Sequence, residues 1–333
     1  MSKYLRSDDK EKDMLYRLKG PLPKDDPDLV AYVGQYYLHP PSDEPYNLSI
    51  TDDPTYKNFS KQGNWKYIHL YVEKLFKDEV PGFFIEAGAL DGEFQSNSLW
   101  LEKEMGWTGL LVEPDKGSFR HLQSKHRKAW TTNTCISNRP YPKETIHVSL
   151  DFIENKNIKK VPWNHHSNSH ELGVTVKMMN EAFLLASERT YSVIQCFPLN
   201  TYLLALNITT IDFMTLDIQG SEKDVLRNLN WDDIKIRMMI VEIVEKVMDE
   251  EFLDFMESRG YVLVNKNIAT TVTDYIYVRT DERVLLEKSW GIKVGYPSEH
   301  PKVNSIVDLS SHKLNIQTTR QAPKDKLPNE PSD

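Results

Sequence analysis

Short apolar runs that alternate with amphipathic segments are the feature that most restricts the fold of this chain. Between about residues 65 and 296, the runs GFFIE, GLLVE and FMTLDI are predicted to be buried strands, and segments such as KGSFRHLQSK are predicted to be helices between them. Strands and helices in alternation are typical of a layered α/β fold with a mainly parallel sheet and helices on both faces. Two closely spaced strands, predicted at 261–264 and 274–279, indicate a final antiparallel pair.

The two ends of the chain differ from this central part. Residues 1–64 are polar and rich in proline, and we expect an N-terminal arm with one short helix at 28–37. Residues 297–333 contain few apolar anchors, so we expect a largely disordered tail. The organisation predicted from sequence is therefore one domain at 65–296 between two polar appendages.

Charge and hydropathy exclude several classes of partner. The formal net charge of −8 provides no overall attraction to nucleic acid. An apolar run of about 18 to 20 residues, long enough to cross a bilayer, does not occur. Because the N-terminus also has no apolar signal core, we expect a soluble, cytoplasmic protein. The secretory lumen is the alternative if an upstream anchor or signal belongs to the protein.

Cysteines and glycosylation motifs bear on the same question. Cys135 and Cys196 are the two cysteines of the chain. Both lie in apolar, strand-like surroundings, so we expect two buried free thiols rather than a disulfide. Glycosylation acceptor tripeptides begin at Asn47, Asn58 and Asn207, and they matter only if the chain enters the secretory pathway.

The segment FFIEAGALDGEF places a glycine-containing turn directly after a predicted strand. Gly88 and Gly92 allow a close approach of the backbone to a ligand, and Glu86 contributes a carboxylate at the strand end. A tight turn that serves only to connect strand and helix is the alternative.

The next predicted strand, GLLVEP, ends in Glu113, where a carboxylate can accept the two hydroxyl hydrogens of a ribose. Together with the glycine turn this predicts a nucleoside site, whereas the alternative is a solvated helix start. The spacing G-x-G-x-x-G is absent, and the Glu86 carboxylate would repel a pyrophosphate but attract an ammonium group. The cationic cofactor S-adenosylmethionine therefore fits this turn better than a dinucleotide.

Further candidates for chemistry follow in the sequence. Asp217, in TLDIQGSEKDVL, ends a buried strand and should lie beside the same crevice, although it can also cap the next helix. Glu242 ends the following strand. His165 and His166, with His170 nearby, are candidate general bases in a predicted loop, with an ordinary solvated loop as the alternative. We expect no metal site, because no acidic ligand accompanies these histidines.

In combination, FFIEAGALDGEFQSNS, GLLVEPD, LDIQGSEKDVL and VTDYIYVR resemble the FkbM-type methyltransferase domain, in particular its arthropod, Star-like branch. The resemblance covers about residues 27–280. It implies a Rossmann-like class I methyltransferase fold with S-adenosylmethionine as cofactor. Leu90 departs from it, because many methyltransferases have glycine at that loop position, and Gln219 stands where the family commonly has an acidic residue.

The resemblance also implies roles for individual residues. Those expected around the methionine part of the cofactor are Glu86, Gly88, Asp91 and Gly92. Glu113 would hold the ribose, Ser137 would lie at the adenine edge, and Asp217 would lie on the catalytic side.

Two functions are consistent with these patterns. The first is an O-methyltransferase that acts on a hydroxyl of a small molecule or glycan, with Asp217, His165 or His166 as the base. The second is a non-enzymatic, Star-like adaptor that keeps the fold but binds a protein partner in trafficking.

Overall fold

The computed structural model of the chain describes residues 7–48, 63–152, 169–173, 187–243, 249–268 and 272–291. A seven-stranded sheet lies at its centre. Its strands, in chain order, are β1 (Phe83–Ala87), β2 (Thr108–Val112), β3 (Trp130–Thr132), β8 (Thr210–Leu216), β9 (Lys235–Ile243), β10 (Tyr261–Ile268) and β11 (Thr273–Arg279). The remaining strands, β4 (Cys135–Ile136), β5 (Lys143–Phe152), β6 (His170–Glu171) and β7 (Ser187–Phe197), form a second sheet.

The order of the central sheet is β10-β11-β9-β8-β1-β2-β3. All neighbouring pairs are parallel except those of β11, which runs antiparallel to both β9 and β10. From β1 the chain proceeds outward through β2 and β3 and then returns to the other side of β1 as β8. The carboxyl ends of β1 and β8 thus lie at the point where the strand order reverses, which is where open α/β sheets bind ligands. The predicted Rossmann-like class I methyltransferase fold, with its antiparallel last strand, is confirmed.

Helices cover both faces of this sheet. In chain order they are α1 (Ser7–Arg17), α2 (Pro27–Tyr36), α3 (Gly63–Phe76), α4 (Leu99–Met105), α5 (Lys116–Ser124), α6 (Leu199–Leu206), α7 (Glu222–Arg227), α8 (Glu250–Ser258) and α9 (Arg283–Trp290). Successive side chains of β1 alternate between two apolar clusters: Phe83 and Ile85 pack with α2, α6 and α8, and Phe84 packs with α3, α5 and α9. Both faces of the central strands are therefore buried, as the continuous apolar runs predicted.

The N-terminal segment packs closely on the domain. The helix predicted at 28–37 is confirmed as α2, whose first turn is capped by the Asp26 carboxylate. Leu29 and Val33 of α2 are fully buried, and the Thr201 hydroxyl donates a 2.7 Å hydrogen bond to the Lys24 carbonyl. Helix α1 was not predicted, because its sequence, SDDKEKDMLYR, is mostly charged. The division into an arm, a domain at 65–296 and a tail remains a prediction, and the tail at 297–333 is outside the described residues.

The second sheet, in the order β4-β7-β5-β6, was not predicted. It lies in the chain between β3 and β8, and we call it the accessory sheet. The sequence pattern predicts one continuous strand at 129–136, and this is wrong because β3 and β4 belong to different sheets. Between them, the Asn133 side-chain amide donates to the carbonyls of Glu113 (2.9 Å) and Pro114 (3.1 Å), which fixes the segment between β3 and β4 to the loop after β2.

The expectation of two free thiols is also wrong. Cys135 of β4 lies directly opposite Cys196 of β7 in the parallel register, with their Cα atoms 4.3 Å apart, and the two form a disulfide. The pairing depends on the contact between β4 and β7, which joins segments 61 residues apart. Among the helices that are described, none is long and apolar enough to span a membrane.

Candidate active site

A cavity opens at the carboxyl ends of β1, β2 and β8. One wall comes from the central sheet and the loops that follow its strands. The opposite wall comes from the accessory sheet. The residues that line the cavity include Glu86, Gly88, Leu90, Glu113, Thr215, Asp217 and Gln219 on the first wall and Cys135, Thr145, His147, His170 and Glu171 on the second.

Gly88 lies where the turn after β1 comes close to the end of β8. Its φ of 87° lies in the left-handed region, and a Cβ atom there would be 2.1 Å from the backbone oxygen of Asp217. The absence of a side chain thus allows the turn after β1 to pack against the end of β8. Beside it, the Asp217 N–H donates a 3.1 Å hydrogen bond to the Ala87 carbonyl.

Leu90, in the same turn, adopts a φ of 49° although it is not glycine. Its N–H donates a 2.7 Å hydrogen bond to Oε2 of Glu113. Such a φ is costly for a residue with a branched side chain, and it marks the position where many methyltransferases have glycine. The departure noted in the sequence is therefore accommodated, with the turn held by the carboxylate at the end of β2.

Glu113 is buried where the cavity meets β2. Besides Leu90, its carboxylate accepts a 2.7 Å hydrogen bond from the Asp115 N–H, through Oε1. Burial, together with the charges of Asp115 and Asp217, raises the pKa of Glu113 to about 8, although the two backbone hydrogen bonds act in the opposite direction. An incoming pair of hydroxyl donors would favour the ionised carboxylate.

Glu86, near the end of β1, lines the cavity. Its carboxylate accepts hydrogen bonds from the segment directly before α4. Oε2 accepts hydrogen bonds from the hydroxyls of Ser96 (2.8 Å) and Ser98, and Oε1 accepts from the Asn97 N–H (2.9 Å). The start of α4 is therefore fixed to the end of β1.

Behind these serines lies a buried guanidinium. Arg127 donates to Ser96 (3.2 Å) and Ser98 (3.0 Å), and its Nε forms a 3.0 Å ion pair with Glu102. Sequence reasoning missed these residues, although the serines belong to the quoted segment GEFQSNS. The network holds Glu86 in one orientation at the cavity.

Asp217 follows the last residue of β8, and its Oδ1 accepts a 2.7 Å hydrogen bond from Nε2 of Gln219. Burial raises the pKa of Asp217 to about 6, and the nearby charge of Glu86 contributes in the same direction. The next turn is held by Glu222, which sequence reasoning missed: its carboxylate accepts from the N–H groups of Ile218 (2.9 Å) and Gly220 (3.0 Å). Asp217 therefore faces the cavity from a position directly before a turn whose backbone is held by Glu222.

Four buried polar atoms of the cavity lining have no hydrogen-bond partner within the described parts of the chain: Oδ1 of Asn97, Oγ of Ser169, Oγ1 of Thr215 and Oε1 of Gln219. A buried polar atom without a partner is costly, and a ligand with suitable polar groups would provide the missing partners. These atoms, with the carboxylates of Glu86 and Glu113, fit a ligand that carries an ammonium group and ribose hydroxyls.

Other predicted site residues lie elsewhere. The Asp91 carboxylate is buried and accepts from the N–H groups of Glu93 (2.9 Å) and Phe94 (2.7 Å), and a Cβ on Gly92 would meet Cδ1 of Leu122 at 2.3 Å. Neither residue lines the cavity, and both stabilise the turn after β1.

The Ser137 hydroxyl donates to the Tyr141 carbonyl (2.8 Å) and accepts from the Arg139 N–H (3.1 Å), whereas its neighbour Ile136 lines the cavity. Glu242 is paired with Asp274 between β9 and β11, away from the lining. Its pKa is raised by burial and by the charges of Asp217 and Asp274.

The accessory sheet contributes side chains that the sequence did not indicate. His147 and Thr145 of β5 and Glu171 of β6 line the cavity, and Glu171 is held by Lys143 (2.5 Å) and by the Thr145 hydroxyl (2.8 Å). His170 also lines it, whereas His165 and His166 are outside the described residues. In the described ranges, no group of three His, Cys, Asp or Glu side chains is arranged to hold a metal ion.

The chain is similar to several solved structures. M. capricolum TrmK in complex with S-adenosyl-homocysteine is 8% identical over 65% of this chain and 68% of its own, with a TM-score of 0.31. Human methyltransferase 10 domain containing protein is 10% identical, over 65% of this chain and 81% of its own, with a TM-score of 0.34. The putative methyltransferase yhhF from Escherichia coli is 12% identical, over 70% of this chain and 90% of its own, with a TM-score of 0.32. No curated protein matches the chain.

A family model settles the relationship. The methyltransferase FkbM domain matches residues 86–263, which is more than half of the chain and extends from the end of β1 into β10. The match contains the glycine turn, Glu113 and Asp217, which the fold brings to one cavity. The chain belongs to the FkbM methyltransferase domain family.

Proposed function

We propose that the chain is an S-adenosylmethionine-dependent O-methyltransferase whose acceptor is a hydroxyl of a small molecule or glycan. The observation that carries the proposal is that Glu113 and Asp217, at the ends of two separate strands, line one cavity in a chain of a methyltransferase family. The first is suited to hold the cofactor and the second to accept a proton.

The cofactor would lie along the ends of β1 and β2. Glu113 would accept hydrogen bonds from the two ribose hydroxyls, and Glu86 would attract the ammonium group of the methionine part. Adenine would lie near Ile136, with Ser137 behind it in the turn that follows. When bound, the cofactor supplies a methyl group on a positively charged sulfur, ready for in-line attack.

The protein then has to align the acceptor hydroxyl, exclude water and take up its proton. Asp217 is the candidate base: with a pKa of about 6 it is mostly ionised at neutral pH, and it faces the cavity. His165 and His166 are alternative bases from a segment outside the described residues. The accessory sheet supports an acceptor rich in hydroxyls, because Thr145, His147 and Glu171 offer it polar partners.

Native mass spectrometry of the purified protein with added S-adenosylmethionine tests the cofactor. Capture of one molecule per chain, followed by transfer of a labelled methyl group to a pool of hydroxylated small molecules and glycans, is expected. Binding without any transfer, together with stable capture of a protein partner, would instead favour the Star-like adaptor. No binding at all would overturn the proposal.

A further inference from the structure

Asn207 begins the tripeptide Asn207-Ile208-Thr209, an acceptor sequence for N-linked glycosylation. It ends helix α6 with a φ of 56°, and its N–H donates a 3.1 Å hydrogen bond to the Leu204 carbonyl. Asn207 and Thr209 are both exposed. The motif therefore lies at a surface turn between α6 and β8, where a glycan can be attached without disturbing the core.

An independent observation concerns the redox environment. The two cysteines of the sequence form the disulfide between β4 and β7, and Cys196 is almost fully buried. Cytosolic thiols are kept reduced, whereas disulfides form and persist in the secretory compartments in which N-linked glycans are added. The disulfide and the exposed acceptor motif thus indicate the same environment.

We propose that Asn207 carries an N-linked glycan and that the chain matures in an oxidising secretory compartment, contrary to the cytoplasmic location expected from the sequence. The glycan would leave the cavity free. Asn207 precedes β8, whereas Asp217 follows it, and the seven residues of β8 separate these ends by about 20 Å at roughly 3.3 Å per residue. The modification is therefore compatible with the proposed methyl transfer and does not depend on it.

The proposal commits to Asn207 for a structural reason. The side-chain amide of Asn47 donates a 3.0 Å hydrogen bond to the Ser124 carbonyl, so a glycan on that nitrogen would disturb a contact between the N-terminal segment and α5. Asn58 is outside the described residues. Asn207 thus combines exposure with a position at which the glycan replaces no contact that the structure describes.

One tryptic digest, made without reduction, tests both parts of the proposal. Cleavage after lysine and arginine, except before proline, places Cys135 in the peptide 129–143, and Cys196 and Asn207 together in the peptide 190–223. For the full-length protein isolated from its own cells, the two peptides are expected as one linked species that carries a glycan. Peptide-N-glycosidase in heavy-oxygen water should convert Asn207 to a labelled aspartate. An unmodified Asn207, or cysteines that react with an alkylating agent before reduction, would overturn the proposal.

A pair of variants expressed in the same cells provides a second measurement. Thr209→Ala removes the hydroxyl that the acceptor motif requires and should abolish the glycan. Thr209→Ser keeps the motif and should retain it. Because Thr209 is exposed, both variants should keep the fold, which circular dichroism would check. A glycan at Asn207 that persists in Thr209→Ala, or that is absent from the wild type, contradicts the assignment.

Discussion

The N–H of Leu90 and Oε2 of Glu113 are joined by a 2.7 Å hydrogen bond that connects the turn after β1 with the end of β2. The same carboxylate holds the Asp115 N–H, which precedes α5. The residue proposed to bind the ribose therefore also organises the loops around the cavity. A change at Glu113 is expected to affect cofactor affinity and local order together.

Glu113→Ala should weaken S-adenosylmethionine binding by about 2–4 kcal/mol, because an acceptor of two hydroxyl donors is lost. Isothermal calorimetry measures the difference, with circular dichroism to check the fold. Glu104→Ala, which removes an exposed carboxylate from α4, is the matched control and should bind normally. Equal affinities for both variants would place the ribose elsewhere.

Glu113 should also make the stability of the protein depend on pH. Its pKa is raised from 4.5 to about 8 in the folded state, so the folded chain keeps a proton that the unfolded chain loses. The free energy of unfolding should therefore fall as the pH rises from 4.5 towards 8, and level off above that value. Urea denaturation of Glu113→Gln across this range should show a smaller fall than the wild type. If the free energy of unfolding depends on pH equally in both proteins, the raised pKa assigned to Glu113 is contradicted.

Gly88→Ala tests the contact between the turn after β1 and the end of β8. The new Cβ would lie 2.1 Å from the Asp217 oxygen, so the two loops must separate in addition to the strain of a φ of 87°. Gly106→Ala is the control, because its φ of 65° is strained but no atom lies within 4 Å of the added Cβ.

Strain alone should cost Gly106→Ala about 1–2 kcal/mol of stability. Gly88→Ala should lose clearly more and should also bind the cofactor poorly. Chemical denaturation and calorimetry are to be compared for the two variants. If Gly88→Ala is no less stable than Gly106→Ala, the close approach described for Gly88 is absent.

Asp217→Asn separates binding from catalysis. The amide keeps an oxygen for the Gln219 hydrogen bond but cannot accept a proton, so cofactor affinity should stay near normal while methyl transfer falls about 100-fold or more. Labelled cofactor with mixed hydroxylated acceptors provides the assay, and Asp254→Asn on the surface of α8 is the control. Undiminished transfer would exclude Asp217 as the base and direct attention to His165 and His166.

The sequence predicted the central sheet well because its strands are buried on both faces. Runs such as GLLV and MMIV leave little alternative to a parallel strand, and a carboxylate at the strand end is then placed at the cavity by topology alone. Glu86, Glu113 and Asp217 were found in this way. The family resemblance assigned Asp91 and Gly92 to the same site, but their positions are set by contacts with Phe94 and Leu122.

The accessory sheet could not be predicted on the same basis. Its strand β5, KETIHVSLDF, alternates polar and apolar residues, and its partner β7 begins 35 residues after β5 ends. Nothing local specifies that pairing. Since the disulfide depends on β7 lying beside β4, the state of Cys135 and Cys196 was unpredictable for the same reason.

The two walls of the cavity have separate origins along the chain. The loops after β1, β2 and β8 form the wall proposed for the cofactor, whereas β5 and β6 form the other wall as an insertion between β3 and β8. Substitutions in β5 and β6 are therefore expected to alter which acceptor fits without disturbing Glu113 or the glycine turn. Under the proposed function, exchanging β5 and β6 between family members should change the acceptor preference while Glu113 and the glycine turn stay in place.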